Sequence, residues 1–183
     1  AEFIRGASES DLETFNGFVH RTFQSEDIKG LARSLRMLYQ EHESLGGFFK
    51  ANVREGATHL GHSFQEFKGY LLANGLPLRA GKHFGDPSKG SACKRLIMFT
   101  RWMVRTNKEG IDFGLWDIDP ALLSLPLDVH SGRVARSLGL LKRKQNDWKA
   151  VVELDQSIRA IEPEDPARLD YALFGLGVYE GWK

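Results

Sequence analysis

Pro126-Leu127-Asp128-Val129-His130-Ser131-Gly132-Arg133-Val134-Ala135-Arg136 changes character at its third residue. Before Asp128 the chain is apolar and interrupted by proline, from Leu122 to Leu127. After it comes an amphipathic segment that carries Arg133 and Arg136, with Val134, Leu138 and Leu141 on its apolar side. A carboxylate at such a junction is a natural helix N-cap, because its oxygen accepts from the first free amides next to the positive end of the helix dipole. Residues 126–141 therefore read as an Asp-capped helix. An Asp that does nothing but cap is the plainer account of the same residue, and it stays open here.

Helical spacing recurs on both sides of this segment. Leu12, Phe15, Val19 and Phe23 follow it behind Ser8 or Ser10, and Ile28, Leu31, Leu35 and Leu38 follow it behind Ser25. Leu60, Phe64, Phe67 and Leu71 form a third stripe, stopped by Asn74-Gly75 and Pro77. Leu96, Phe99, Met103 and Val104 form a fourth. Trp148 to Ile161 and the very apolar Leu169 to Val178 complete the set. Convincing alternation of the strand type is absent, so the expected fold is all-α, in a single domain over 1–183. Two long connections interrupt it: Leu78 to Ser91, rich in Gly, Lys and Pro, and Asn107 to Pro120, which holds Trp116.

Composition limits the function classes. The 183 residues are 42% hydrophobic and 27% charged, ordinary for a globular domain with a real core. No apolar run approaches the roughly 20 residues of a membrane span, and Ala1 to Arg5 is no signal peptide. The single cysteine, Cys93, excludes an internal disulfide and a four-cysteine iron–sulfur cluster, and fits a reducing cytoplasm. With a net charge of only +1, any grip on nucleic acid must come from local basic clusters.

Such clusters are present. Lys89-Gly90-Ser91-Ala92-Cys93-Lys94-Arg95-Leu96 lies where a Gly/Pro loop turns into a helix, so residues 78–96 read as a hairpin-like loop and helix. Free amides at a helix start bind phosphate, Ser91 is placed to cap, and Lys89, Arg95 and Arg101 add charge. Lys142-Arg143-Lys144 ends the helix that Asp128 opens, where cations also favour the helix dipole. Each cluster also reads as a solvated surface. Lys94 is the candidate nucleophile, since an amine beside other cations is more easily deprotonated. His59, His62 and Glu66 sit on one helical face but lack a fourth metal ligand at a telling spacing, so no metal site is expected.

The spacing Asp128-x-His130-x-x-Arg133-Val134 resembles helix-hairpin-helix DNA glycosylases of the endonuclease III type, in which the corresponding Asp is catalytic. The usual hairpin pattern of two glycines two residues apart is missing, with only Gly90 present. The longer stretch between Lys94 and Asp128 is similar to that of archaeal 8-oxoguanine glycosylases. The chain also closely resembles an uncharacterised bacterial family, domain of unknown function 2400. That likeness rests on Phe18–Phe23, Gly90–Leu96 with Arg101–Arg105, Pro126–Arg136 and Asp170–Val178. Members of it usually carry further helices before the point where Ala1 begins, so a C-terminal piece of a longer helical bundle is expected.

The resemblance to the glycosylases implies excision of a damaged base from duplex DNA, with abasic-site lyase activity if Lys94 attacks the sugar. Lys94 and Asp128 would be catalytic. Lys89, Gly90, Ser91, Arg95, Arg101, Arg133, Lys142, Arg143 and Lys144 would contact DNA. No cofactor, no membrane, a monomeric state and a place in the cytoplasm at the bacterial nucleoid complete the expectation. A catalytically inactive helix-hairpin-helix DNA-binding module is the alternative.

Overall fold

Ser8 caps the second short helix of the chain through a reciprocal capping box with Asp11. The computed structural model describes residues 2–106 and 110–180, so Asn107, Lys108 and Glu109 of the second long connection lie outside the described residues. The elements in chain order are α1 (Glu2–Gly6), α2 (Glu9–Leu12), β1 (Val19–His20), β2 (Phe23–Gln24), α3 (Ser25–His42), α4 (Leu45–Ala51) and α5 (Gly61–Ala73). They continue with α6 (Lys94–Val104), α7 (Val129–Ser137), α8 (Trp148–Arg159) and α9 (Asp170–Val178). Most of the chain is thus helical, as the spacing predicts.

One large core joins these helices. Leu38 of α3, Phe49 of α4, Phe64 and Leu71 of α5, Ile97 of α6, Val134 of α7 and Leu154 of α8 are all within 2% of complete burial. Leu123, Leu125 and Leu127 belong to the same core, so the apolar run before Asp128 is an extended segment threaded through the middle of the protein. Burying each such side chain contributes about 1.5–3 kcal/mol. A small second core of Ala7, Leu12 and Ala32 seats the N-terminal helices on α3.

The first stripe does not make one helix. Asn16-Gly17 breaks it, with Gly17 at φ +76°, and the chain then folds back as the antiparallel β1–β2 hairpin. Val19 is left 67% exposed there. Arg21 occupies the hairpin turn at φ +56°, a left-handed conformation that costs a non-glycine residue roughly 1–2 kcal/mol. The fold is thus mostly helical, compatible with the all-α expectation, with one small two-stranded hairpin beside the helices. The α4 helix, which no stripe marks, begins at a Ser44 cap and buries Phe48 and Phe49.

Two further boundaries differ. Gly139, at φ +73°, ends the Asp128 helix near Ser137, so Leu141 is buried beyond the helix and Lys142 to Lys144 do not lie on it. Before α6 the chain forms two 3₁₀ segments, Leu78–His83 and Pro87–Lys89, in place of a hairpin between two α-helices. An isolated bridge pairs Ser91 with Asp147, and the Trp148 amide donates to the Gly90 carbonyl at 3.1 Å, which ties this loop to the start of α8.

Candidate active site

Asp128 caps α7 as its position predicts. Its Oδ1 accepts from the His130 amide at 2.8 Å and the Ser131 amide at 2.9 Å, while Ser131 Oγ accepts from the Asp128 amide at 2.9 Å. The other oxygen faces elsewhere. Lys94, the first residue of α6, donates from Nζ to Asp128 Oδ2 at 2.8 Å. The lysine side chain is 43% exposed and the aspartate side chain 15%. Burial pushes the Asp128 carboxyl upward, but the Lys94 ammonium and the amides of Ser131 and His130 outweigh it, and the net result lies below the ordinary value. Asp128 is a carboxylate at neutral pH.

The pair stands at a cleft of about 270 Å³. Its walls include Met98, Trp102, Tyr171 and Phe174, with Arg101 and Asp170 as polar groups. The cleft lies between α6 and α9, and α9 is held in place by close packing along α7. Gly177 permits that approach: a Cβ there would sit 3.1 Å from the His130 carbonyl oxygen. Phe174 meets the His130 ring edge-on and Arg133 donates to the Gly177 carbonyl at 2.9 Å. At the opposite side Cys93, just before Lys94, is held at φ +50°. Strained backbone of this kind gathers at functional sites because the surroundings must over-determine it. Burial pushes the Cys93 thiol up to about 11, so it is a packed apolar group and not a nucleophile.

Arg101 is 2% exposed, so it is not one of the solvated surface cations. Its guanidinium pairs with Asp112 at 3.3 Å and with Asp170, and it stacks over the Tyr171 ring at 4.1 Å. It lines the cleft, and its Nε has no hydrogen-bond partner among the described residues. Burial raises the Asp170 carboxyl; Arg101 works against the rise and the nearby Asp128 charge adds to it.

Three of the amides at this loop-to-helix junction are already used inside the protein. The amides of Lys89, Gly90 and Ser91 donate internally, to the carbonyls of Asp86, Pro87 and Asp86 at 3.0–3.1 Å. Ser91 does not cap α6; its Oγ accepts from the Cys93 amide at 3.2 Å, and Cys93 is the residue before the helix. Arg143 is held by Asp147, and Arg133 by the Gly177 carbonyl. Lys89, Arg95, Lys142 and Lys144 are exposed. Trp116 does not border the cleft: it stacks on Phe49 and meets Phe99 edge-on in the core, and Ile111 is what its connection contributes to the cleft wall. Trp148 also packs inside, against His59 and Phe64. Among the described residues no three His, Cys, Asp or Glu side chains are placed to hold a metal ion, and no helix is long and apolar enough to cross a membrane.

Fold and site together define a mostly helical protein with a lysine–aspartate pair at an aromatic-walled cleft. The chain belongs to the protein family of unknown function DUF2400, whose profile matches residues 1–179. No curated protein and no solved structure matches it.

Proposed function

We propose that the protein excises damaged bases from duplex DNA as an N-glycosylase, with an abasic-site lyase step carried by Lys94. The observation that supports this reading is the 2.8 Å pairing of Lys94 and Asp128, each at the start of its helix, beside a cleft walled by aromatic rings. Reaction at a sugar carbon needs a nucleophile and a negative charge within reach of one atom. Lys94 and Asp128 are 34 positions apart in the chain, and the fold brings their side chains into contact.

A base flipped from the stack would enter the cleft, where Trp102, Tyr171 and Phe174 offer ring faces and edges. At about 270 Å³ the space suits one heterocycle, near the small end of the roughly 300–1,000 Å³ of ligand pockets. The C1′ carbon of its sugar would then lie at the mouth, beside Lys94. Once its ammonium has given a proton to water, Lys94 Nζ uses its lone pair to bond C1′ as the C1′–base bond breaks, and the base leaves with the pair of the broken bond and takes up the proton that Nζ then sheds. The Nζ lone pair then forms the C=N bond of a protonated imine as O4′ leaves C1′ and takes up a proton from water; loss of a C2′ proton to water forms the C2′–C3′ double bond, and the 3′ phosphate departs with the electrons of the C3′–O3′ bond, which cuts the strand. The Asp128 carboxylate stabilises the positive charge that develops on the sugar.

A catalytically silent DNA-binding module has one observation in its favour, the complete helix cap formed by Asp128 Oδ1. The two readings part at Oδ2 and Lys94, which the cap does not use. Incubation with a panel of duplexes, each holding one damaged base, separates them. The glycosylase reading expects base release and strand cleavage on at least one duplex, with cleavage lost in Lys94→Gln. Release from none, while the protein still binds DNA, overturns it in favour of the module.

A further inference from the structure

Most arginines of this protein hold a carboxylate: Arg33 on Glu9, Arg79 on Asp27, Arg105 on Asp165 and Arg143 on Asp147. Arg21, Lys82 and Arg95 do not; among the described residues none of them has a carboxylate within ion-pair distance. These free cations converge. Arg21 and Arg95 line one cavity of about 400 Å³ with His20 and His83. Lys82, His83, Lys94 and Arg95 line a second, of about 520 Å³. The two share Thr22, His83 and Arg95, so they form one groove, and no Asp or Glu lines either part. Packing a groove with unpaired cations is unfavourable for the free protein, and it suits a polyanionic ligand.

Its walls are built to stay in place. One wall is the β1–β2 hairpin and the other is the loop before α6. His83 joins them, meeting the Phe23 ring edge-on with 5.2 Å between centroids and lying 3.3 Å from Thr22 Oγ1. Arg21 is kept in the hairpin turn at φ +56°, where glycine is the unstrained choice. The groove also has a destination. Lys94 lines both the groove and the aromatic cleft, so a strand following the cations passes the Lys94–Asp128 pair.

We infer that this groove is the track for the phosphates of the lesion-bearing DNA strand, with the hairpin residue Arg21, Lys82 and Arg95 as its principal contacts. This rests on the reading of the protein as a DNA-acting enzyme, and it relocates the backbone grip from the loop amides, which are internally bonded, to the hairpin face. Neutralising phosphates releases counterions, so each contact contributes to the salt dependence of binding.

The test is the affinity of the protein for a duplex with one abasic-site analogue, followed by fluorescence anisotropy over several salt concentrations. The triple variant Arg21→Ala/Lys82→Ala/Arg95→Ala is expected to bind at least about tenfold more weakly at low salt and to lose roughly 2–3 from the slope of log K against log salt, at about 0.9 for each contact. Arg54→Ala/Lys149→Ala, which removes two exposed cations away from the groove, is expected to bind nearly as the unchanged chain. Arg21→Gly keeps the fold secure, since glycine relieves the turn; its melting temperature should hold or rise while affinity falls. An unchanged affinity and slope in the triple variant overturns the inference, as does tighter binding to an RNA duplex of the same sequence or no binding of the duplex by the unchanged chain. The readout is binding alone: base release with an unaltered triple variant would remove the groove and leave the glycosylase, whereas groove-dependent binding without base release would do the reverse.

Discussion

At the residue scale the account turns on the two oxygens of Asp128. Oδ1 holds the helix and Oδ2 meets Lys94, so the two roles can be separated by substitution. Asn is itself a good N-cap, and Asp128→Asn should cost no more than about 1 kcal/mol of stability, read by urea unfolding. The same change should slow base release many-fold, because the charge facing the sugar is gone. The pH sign follows from the lowered carboxyl: Asp128 contributes stability above its ordinary value near 3.8, and that contribution is lost as pH falls through the lower folded-state value. A stability loss on acidification that begins below pH 4 in the unchanged chain should therefore shrink in Asp128→Asn. The cap was legible in the sequence because capping is local, a matter of one residue and the three that follow. The partnership with Lys94 was not legible from spacing alone; it depends on where α6 and α7 come to rest, and it entered the reading only through a family likeness.

At the scale of elements, α6 carries more than its pattern announces. Leu96, Ile97, Thr100, Arg101 and Val104 form its buried face, a rotation away from the stripe through Phe99 and Met103. A hydrophobic periodicity assigns arginine to solvent, so the buried Arg101 could be found only from its partners Asp112 and Asp170, which lie in other segments. Arg101→Met leaves Asp170 buried without its cation and should cost about 3–5 kcal/mol in urea unfolding. A loss below 1 kcal/mol would contradict the buried network. The hairpin escaped the sequence reading for a related reason: two-residue strands are too short to alternate, and Phe15, Val19 and Phe23 mimic a helical stripe across the Asn16-Gly17 break. Between α8 and the extended core segment, Asp155 accepts from Ser124 Oγ at 2.6 Å, and burial pushes its carboxyl up to about 6. A raised value means that its ionisation opposes folding, by at most on the order of 3 kcal/mol. The chain should accordingly lose stability as pH rises through about 6, by a component that Asp155→Asn removes, as melting temperatures between pH 5 and pH 8 will report.

For the whole molecule the net charge of +1 understates what the surface can do. Ion pairing consumes many of the cations on α3, α6 and α8, and three that it leaves over, Arg21, Lys82 and Arg95, meet in the groove beside Lys94. Most of the long helices and the Asp-capped segment follow from local signals. The cleft does not, since its walls come from α6, the connection holding Ile111, and α9, and only tertiary packing joins them. The central claim is that Lys94 acts on a sugar carbon at the mouth of that cleft. Borohydride reduction during turnover on duplexes with single damaged bases or an abasic site tests it most directly, with the adduct located by mass spectrometry. A covalent protein–DNA species is expected on at least one substrate, with the linkage on Lys94 and none formed by Lys94→Gln. An adduct on another lysine, or one that forms undiminished in Lys94→Gln, would contradict it.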